Sequence, residues 1–326
     1  LLTGQQITDV SWAPDSSSIA FRSNQGTHNE WQLRTSPAAG GGASDVGGTS
    51  DTTNFGVQAG SIAWAPDSSR LAYIADLVTG GIDNLHTVTP GNAGSRVTVS
   101  VGVTGHTDVF APPSWAPNSS RIAYLSDLSA DTTNQLYTSL PATAGSTLIN
   151  EALAGGSVSV GPPGSAPAWS SDSSSLIYAA EQDTPDVVEI YTRAGDGTGT
   201  SKKVSGDMAH ADGDASLSGD AESWSPDDSQ ILYRADQLVE GTVELWTSRA
   251  ATGTLDNTVL TASPPMVADA LKSFGQWSPD SSYVAYASAQ DSADVIELFV
   301  ATPAGIITKI SGALVTGGNV DPDTFV

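Results

Sequence analysis

At 326 residues, 39% of them apolar and none of them cysteine, the chain can bury a large core but can form no disulfide, thiolate metal site or cysteine nucleophile. Its 36 Asp and Glu against 12 Lys and Arg give a net charge of −24, which repels phosphate backbones and anionic lipid and argues against nucleic acid as a partner. The longest apolar stretches are strand-sized and broken by Pro, Gly or charge, so no membrane-spanning helix is expected.

In chain order, Leu1–Gln6 carries no Met and no basic segment followed by an apolar run, which predicts a leader already removed or a piece of a longer protein. Leu1-Leu-Thr-Gly also reads like the end of a fourth strand, as do Val204-Ser-Gly and Ile310-Ser-Gly. Trp12-Ala-Pro-Asp-Ser-Ser then opens a motif that returns at Trp64, Trp115, Trp169, Trp224 and Trp277. The spacings are 52, 51, 54, 55 and 53 residues, and six of the eight tryptophans hold this one position. Such a period marks a repeat architecture.

Two short alternating segments follow each motif. They are Ser18-Ile-Ala-Phe-Arg and Trp31-Gln-Leu-Arg-Thr in the first repeat, and Ile231-Leu-Tyr-Arg and Val243-Glu-Leu-Trp-Thr in the fifth. β-branched and aromatic residues dominate and no helical period appears. A weaker fourth segment closes the unit, as in Arg96-Val-Thr-Val and Ile307-Thr-Lys-Ile. Four strands per repeat predict an all-β, six-bladed β-propeller of four-stranded antiparallel blades, one domain over residues 1–326.

The motif has a structural job in this reading. Pro presets φ for a tight turn, and Asp15, Asp67, Asp172, Asp227 and Asp280 accept backbone N–H groups just ahead, with Asn118 in the third repeat. The six indoles are expected to pack as buried wedges against neighbouring sheets rather than to form a binding ring. Trp-Ser-Pro-Asp followed by Ile-Ala-Tyr resembles the repeat of TolB-type β-propellers, whose signature is Trp-Ser-Pro-Asp-Gly, and the resemblance covers all six repeats. It implies a bacterial, extracytoplasmic setting and a role in contacting other macromolecules. One departure is consistent: Ser, or Asp228, stands where that family has Gly, which predicts a type I turn with negative φ there. Repeat four also has Ser171 in place of Pro.

No Gly-x-Ser-x-Gly elbow, phosphate loop or His-Glu-x-x-His motif occurs. His28, His86, His106 and His210 are spread over the repeats and read as ordinary surface residues rather than the gathered ligands of a metal-dependent lyase. Asp212, Asp214, Asp220 and Glu222 recur at alternate positions of one connection and are the calcium candidates, with turn-forming Asp as the plainer reading. The hairpins Gln182–Asp186 and Gln290–Asp294 pair carboxylates three residues apart, with turn-forming Asp again the plainer reading.

Recognition should lie on the long connections Val46–Gly60, Ser100–Pro113, Ala152–Pro167, Ser205–Glu222 and Ala262–Gly275, at the end of the blades opposite the uniform Pro-Asp turns. Phe55, Phe110 and Phe274 stand there as candidate ligand contacts. The function expected is a non-enzymatic surface module binding protein or glycan through these loops. The alternative is a structural subunit assembling through Leu1–Gln6 and Gly318–Val326, with an enzyme the remaining reading. The tail Gly318–Val326 resembles the lead-in to a seventh tryptophan.

Overall fold

The computed structural model describes residues 5–25, 31–48, 56–77, 81–100, 108–110, 112–128, 133–211, 213–218, 223–249, 256–261, 270–292, 295–312, 314 and 318–321. They fall into two compact units. The first is residues 1–150 with 164–169 and 195–198; the second is 151–163, 170–194 and 199–326.

Every described strand belongs to a four-stranded sheet whose members follow chain order. The first sheet holds β1 (Ile7–Trp12), β2 (Ser18–Ser23), β3 (Gln32–Pro37) and β4 (Ser44–Asp45). The second holds β5 (Ala63–Trp64), β6 (Leu71–Ala75), β7 (Asn84–Thr89) and β8 (Asn92–Thr98). The third holds β9 (Ser114–Trp115), β10 (Ile122–Ser126), β11 (Gln135–Ser139) and β12 (Thr147–Leu148). β13 (Ala168–Trp169), β14 (Ser175–Ala180), β15 (Glu189–Ala194) and β16 (Lys202–Lys203) make the fourth. The fifth is β17 (Ala215–Ser216), β18 (Gln230–Ala235), β19 (Glu244–Arg249) and β20 (Thr258–Val259). The sixth is β21 (Gln276–Trp277), β22 (Val284–Ser288), β23 (Glu297–Ala301) and β24 (Ile307–Lys309). Six such antiparallel sheets with no α-helix among the described residues make the fold a six-bladed β-propeller.

The cores are built at one repeated register. The Tyr of Ile-Ala-Tyr and its kin, Tyr73, Tyr124, Tyr178, Tyr233 and Tyr286, are all fully buried. Each faces a ring thirteen residues on: His86, Tyr137, Tyr191, Trp246 and Phe299. Four of the pairs stack with centroids 5.4–6.0 Å apart. Stacked pairs of this kind add about 0.5–1.5 kcal/mol each beyond the area they bury. The phenols also find acceptors, Tyr73 on the Gly47 carbonyl at 2.9 Å and Tyr286 on that of Leu260 at 2.7 Å.

The Pro-Asp turns close by the N–H of the residue after Asp donating to the carbonyl three residues back, as from Ser16 to Ala13 at 2.8 Å. That residue has φ between 58° and 67° in all six repeats, Asp228 included. The expectation of negative φ is thus corrected. The turn is a type I turn followed by a left-handed residue, inside a four-residue connection closed by the Ala13 N–H donating to the Ser18 carbonyl at 2.9 Å, and the left-handed position is where Gly costs least. At three of the positions the serine hydroxyl has a use. Ser68 Oγ accepts the Asp15 N–H at 3.0 Å, Ser119 Oγ that of Asp67 at 3.0 Å, and Ser281 Oγ that of Asp227 at 3.1 Å. The Asp228 carboxylate takes the same role toward Ser171 and Asp172, at 2.7 and 3.0 Å.

Flanking donors lower the pKa of the five motif carboxyls. The leading cause is the Ser17 N–H for Asp15, and the hydroxyls of Ser69, Ser170 and Ser278 for Asp67, Asp172 and Asp280. Ser225 and Ser229 bring Asp227 down to about 2.

Two further expectations are corrected here. Trp115, Trp169, Trp224 and Trp277 are buried and Trp64 is half-buried, but Trp12 is 59% exposed, so the wedge role does not extend to it. Neither is His86 a surface residue. It fills the aromatic slot of β7 and is fully buried, with Nε2 3.1 Å from the Ala75 carbonyl and Nδ1 3.0 Å from Thr98 Oγ1. Trp246 Nε1–H donates to the equivalent carbonyl, Ala235, at 3.2 Å. Burial drives the His86 pKa down to about 4, so the ring is neutral.

Candidate functional site

Away from the Pro-Asp turns, the second unit carries a cleft of about 370 Å³. That is the lower range of small-molecule sites. Ala179, Val188, Ala215 and Leu217 give it an apolar floor, Phe274 a wall, and Ser159 and Ser216 two exposed hydroxyls. Asp214 is its one charged lining side chain.

The local backbone explains why these groups converge. Ser159 bridges Ala179, and Asp214 makes a parallel bridge to Val188. The Val188 N–H donates to the Gly213 carbonyl at 3.1 Å, and the Ala215 N–H returns to the Val188 carbonyl at 2.9 Å. Asp236, at the end of β18, clamps the same segment. Its Oδ1 accepts the Asp214 N–H at 2.9 Å, its N–H donates to the Asp214 carbonyl at 3.3 Å, and its Oδ2 accepts Gly241 N–H at 3.0 Å. His210 Nε2 lies 2.6 Å from the Asp236 carbonyl oxygen. The buried Asp236 carboxylate is therefore spent on backbone donors, while the Asp214 side chain is exposed. On the wall, the Arg234 guanidinium lies 4.7 Å from the centre of the Phe274 ring, a cation–π contact that fixes the ring plane.

Of the residues singled out from sequence, Asp214 and Phe274 meet at this cleft. Phe110 is exposed elsewhere, in the first unit. Asp212, Asp220, Glu222, Phe55, His28, His106 and Asp294 lie outside the described residues. Among the described residues no group of three or more His, Asp or Glu is arranged to hold a metal ion, and no helix is long and apolar enough to cross a membrane. Sequence reading missed Ser159 and the Asp236 clamp. The clamp had a signal: an acid follows the second strand at Asp76, Asp127, Glu181 and Asp236 alike.

Fold and cleft together define a propeller with a small-ligand-sized site. No protein-family model matches the chain and no curated protein matches it. Solved structures do match. An oligogalacturonate lyase in complex with manganese is 18% identical with a TM-score of 0.49, over 92% of this chain and 75% of that one. An oligogalacturonate lyase from Vibrio parahaemolyticus is 14% identical with a TM-score of 0.47, over 94% and 78%. Prolyl oligopeptidase B from Galerina marginata is 12% identical with a TM-score of 0.53; 94% of this chain spans only 44% of that protein.

At these identities the likeness shows the fold alone. It still corrects two expectations, that of a non-enzymatic binding or structural module and that of no enzymatic activity. The match with a TM-score above 0.5 is to an enzyme, against both of those expectations.

Proposed function

We propose that the chain binds a compact ligand with an apolar body and a basic group in the second-unit cleft, and acts on it by proton transfer at Asp214. The observation that carries this is an apolar-floored cleft with one charged lining residue, Asp214, whose backbone the Asp236 clamp fixes at the rim. The net charge of −24 favours cations at such a site. Ser159 and Ser216 are the hydroxyls that would orient the ligand's polar end, and Phe274, fixed by Arg234, its apolar wall. Asp214 is the one lining side chain that carries an ionisable carboxyl, so it is the group that would take and return a proton. The Trp-Ser-Pro-Asp repeat and the cysteine-free composition support a TolB-type lineage and an extracytoplasmic setting as part of the same proposal.

Benzylamine, with benzyl alcohol and benzoate as neutral and anionic isosteres, tests the reading by chemical-shift titration. Benzylamine is expected to bind at millimolar concentration and at least tenfold more tightly than either isostere. Asp214→Asn should remove that preference. Equal binding of benzoate, or an unchanged preference in Asp214→Asn, would refute it.

A further inference from the structure

Independently of the cleft, the segment after the sixth blade is docked in a way that the repeat itself explains. In three places within the units, the residue just before a third strand offers its carbonyl to the inner segment of the next blade. Trp31 accepts from the Val57 N–H at 2.8 Å, Asp83 from that of Val109 at 3.0 Å, and Val188 from that of Ala215 at 2.9 Å. Ile296 stands just before β23 and accepts the Val320 N–H at 2.9 Å. The match extends to the preceding residue. The Asp83 N–H donates to Asp108 Oδ1 at 2.9 Å, and the Ile296 N–H donates to Asn319 Oδ1 at 2.8 Å. Asn319-Val320 thus docks on blade 6 as Asp108-Val109 docks on blade 2, through one backbone and one side-chain hydrogen bond.

We infer that the Ile296 position is a segment-docking site that takes an extended Asn- or Asp-Val pair, filled here in cis by residues 318–321, and that it accepts the same segment as a separate peptide. The specificity follows from the two bonds. The first residue needs a short side-chain oxygen that reaches the Ile296 N–H, and the second needs its own N–H, which rules out proline. A β-branched residue in that second place favours the extended backbone the docking requires.

The test uses a variant ending at Ala313 and a synthetic peptide of residues 314–326. The peptide is expected to bind the shortened protein and to bind the full chain at least tenfold more weakly, because its site is occupied. The same peptide with Val320→Pro should lose at least tenfold in affinity. Equal binding to both proteins, or no binding to a shortened protein that keeps its fold by circular dichroism, overturns the inference. Should the shortened protein fail to fold, Val320→Pro in the full chain decides: the Ile296 amide should exchange with solvent at least tenfold faster. Unchanged exchange overturns it.

Discussion

At the Pro-Asp end of the sheets, the hydrogen bond that closes the turn measures 2.8–2.9 Å in all six repeats, and the left-handed residue varies by only 9° in φ, from 58° to 67°. At the other end the connections share a docking bond but differ in length and in the side chains they present among the described residues. One carries an acid clamped by Asp236, another a phenylalanine under an arginine, and several lie partly outside the described residues. The repeated end is where the sequence is constrained by packing, so its changes should register as stability. The irregular end is free of that constraint, so its changes should register as binding. Loops on a rigid scaffold divide the work in this way generally.

The comparison breaks first, and most heavily, in the stacked cores. Tyr286→Ala removes a fully buried ring stacked on Phe299 at 5.6 Å and a phenol bonded to Leu260. It should cost about 3–5 kcal/mol in urea unfolding. A loss under about 1 kcal/mol would mean that the repeated register does not carry the fold.

A smaller effect is expected at His86, and it depends on pH. Its folded pKa is about 4 against an ordinary 6.5, so the unfolded chain takes up a proton in that window and the folded chain does not. Stability should therefore fall as pH drops from about 6.5 toward 4, with no contribution from this residue above the window. His86→Phe keeps a ring against Tyr73, as Phe299 does against Tyr286, and should give a shallower decline of melting temperature across those pH values. Parallel curves for the two proteins would show that the imidazole is not held neutral.

The turns allow a finer test. Glycine relieves a left-handed residue of about 1 kcal/mol. At Ser68 it also removes the acceptor of the Asp15 N–H, while the Ser16 hydroxyl accepts no such bond among the described residues. Ser16→Gly should stabilise by about 0.5–1 kcal/mol and Ser68→Gly should be near neutral, because the lost hydrogen bond is worth about as much. The order of the two melting temperatures decides the matter. Last comes Asp214→Asn at the irregular end, expected within about 0.5 kcal/mol of the parent in stability. A large loss there would make Asp214 part of the scaffold and dissolve the contrast.

Much of this was readable in advance, and the parts that were not share a cause. The tryptophan spacing and the Ile-Ala-Tyr segments gave the blades, because packing at each blade demands the same residues in the same order. The sign of φ at Ser16 and its equivalents is hidden by the serine side chain, although Gly in the TolB-type signature is itself the mark of a left-handed residue. His86 differs from the other histidines in standing thirteen residues after an aromatic. Aligned on Tyr73, it falls in the slot of Tyr137 and Phe299. The cleft had no linear signature. Ser159, Asp214 and Phe274 come from three different repeats and are neighbours only after folding.

The serine-to-aspartate links carry a consequence for how such a chain can change length. Each donor and its acceptor belong to adjacent copies of one motif, 52–57 residues apart, through one hydroxyl in the three serine links and through both carboxylate oxygens at Asp228. Duplicating or losing one whole copy of the unit leaves every remaining link with a partner of the right kind. A duplication cut elsewhere, by ten residues or by thirty, would leave half a link on each side. Insertion or removal of one whole unit is therefore the change of length that these links tolerate best.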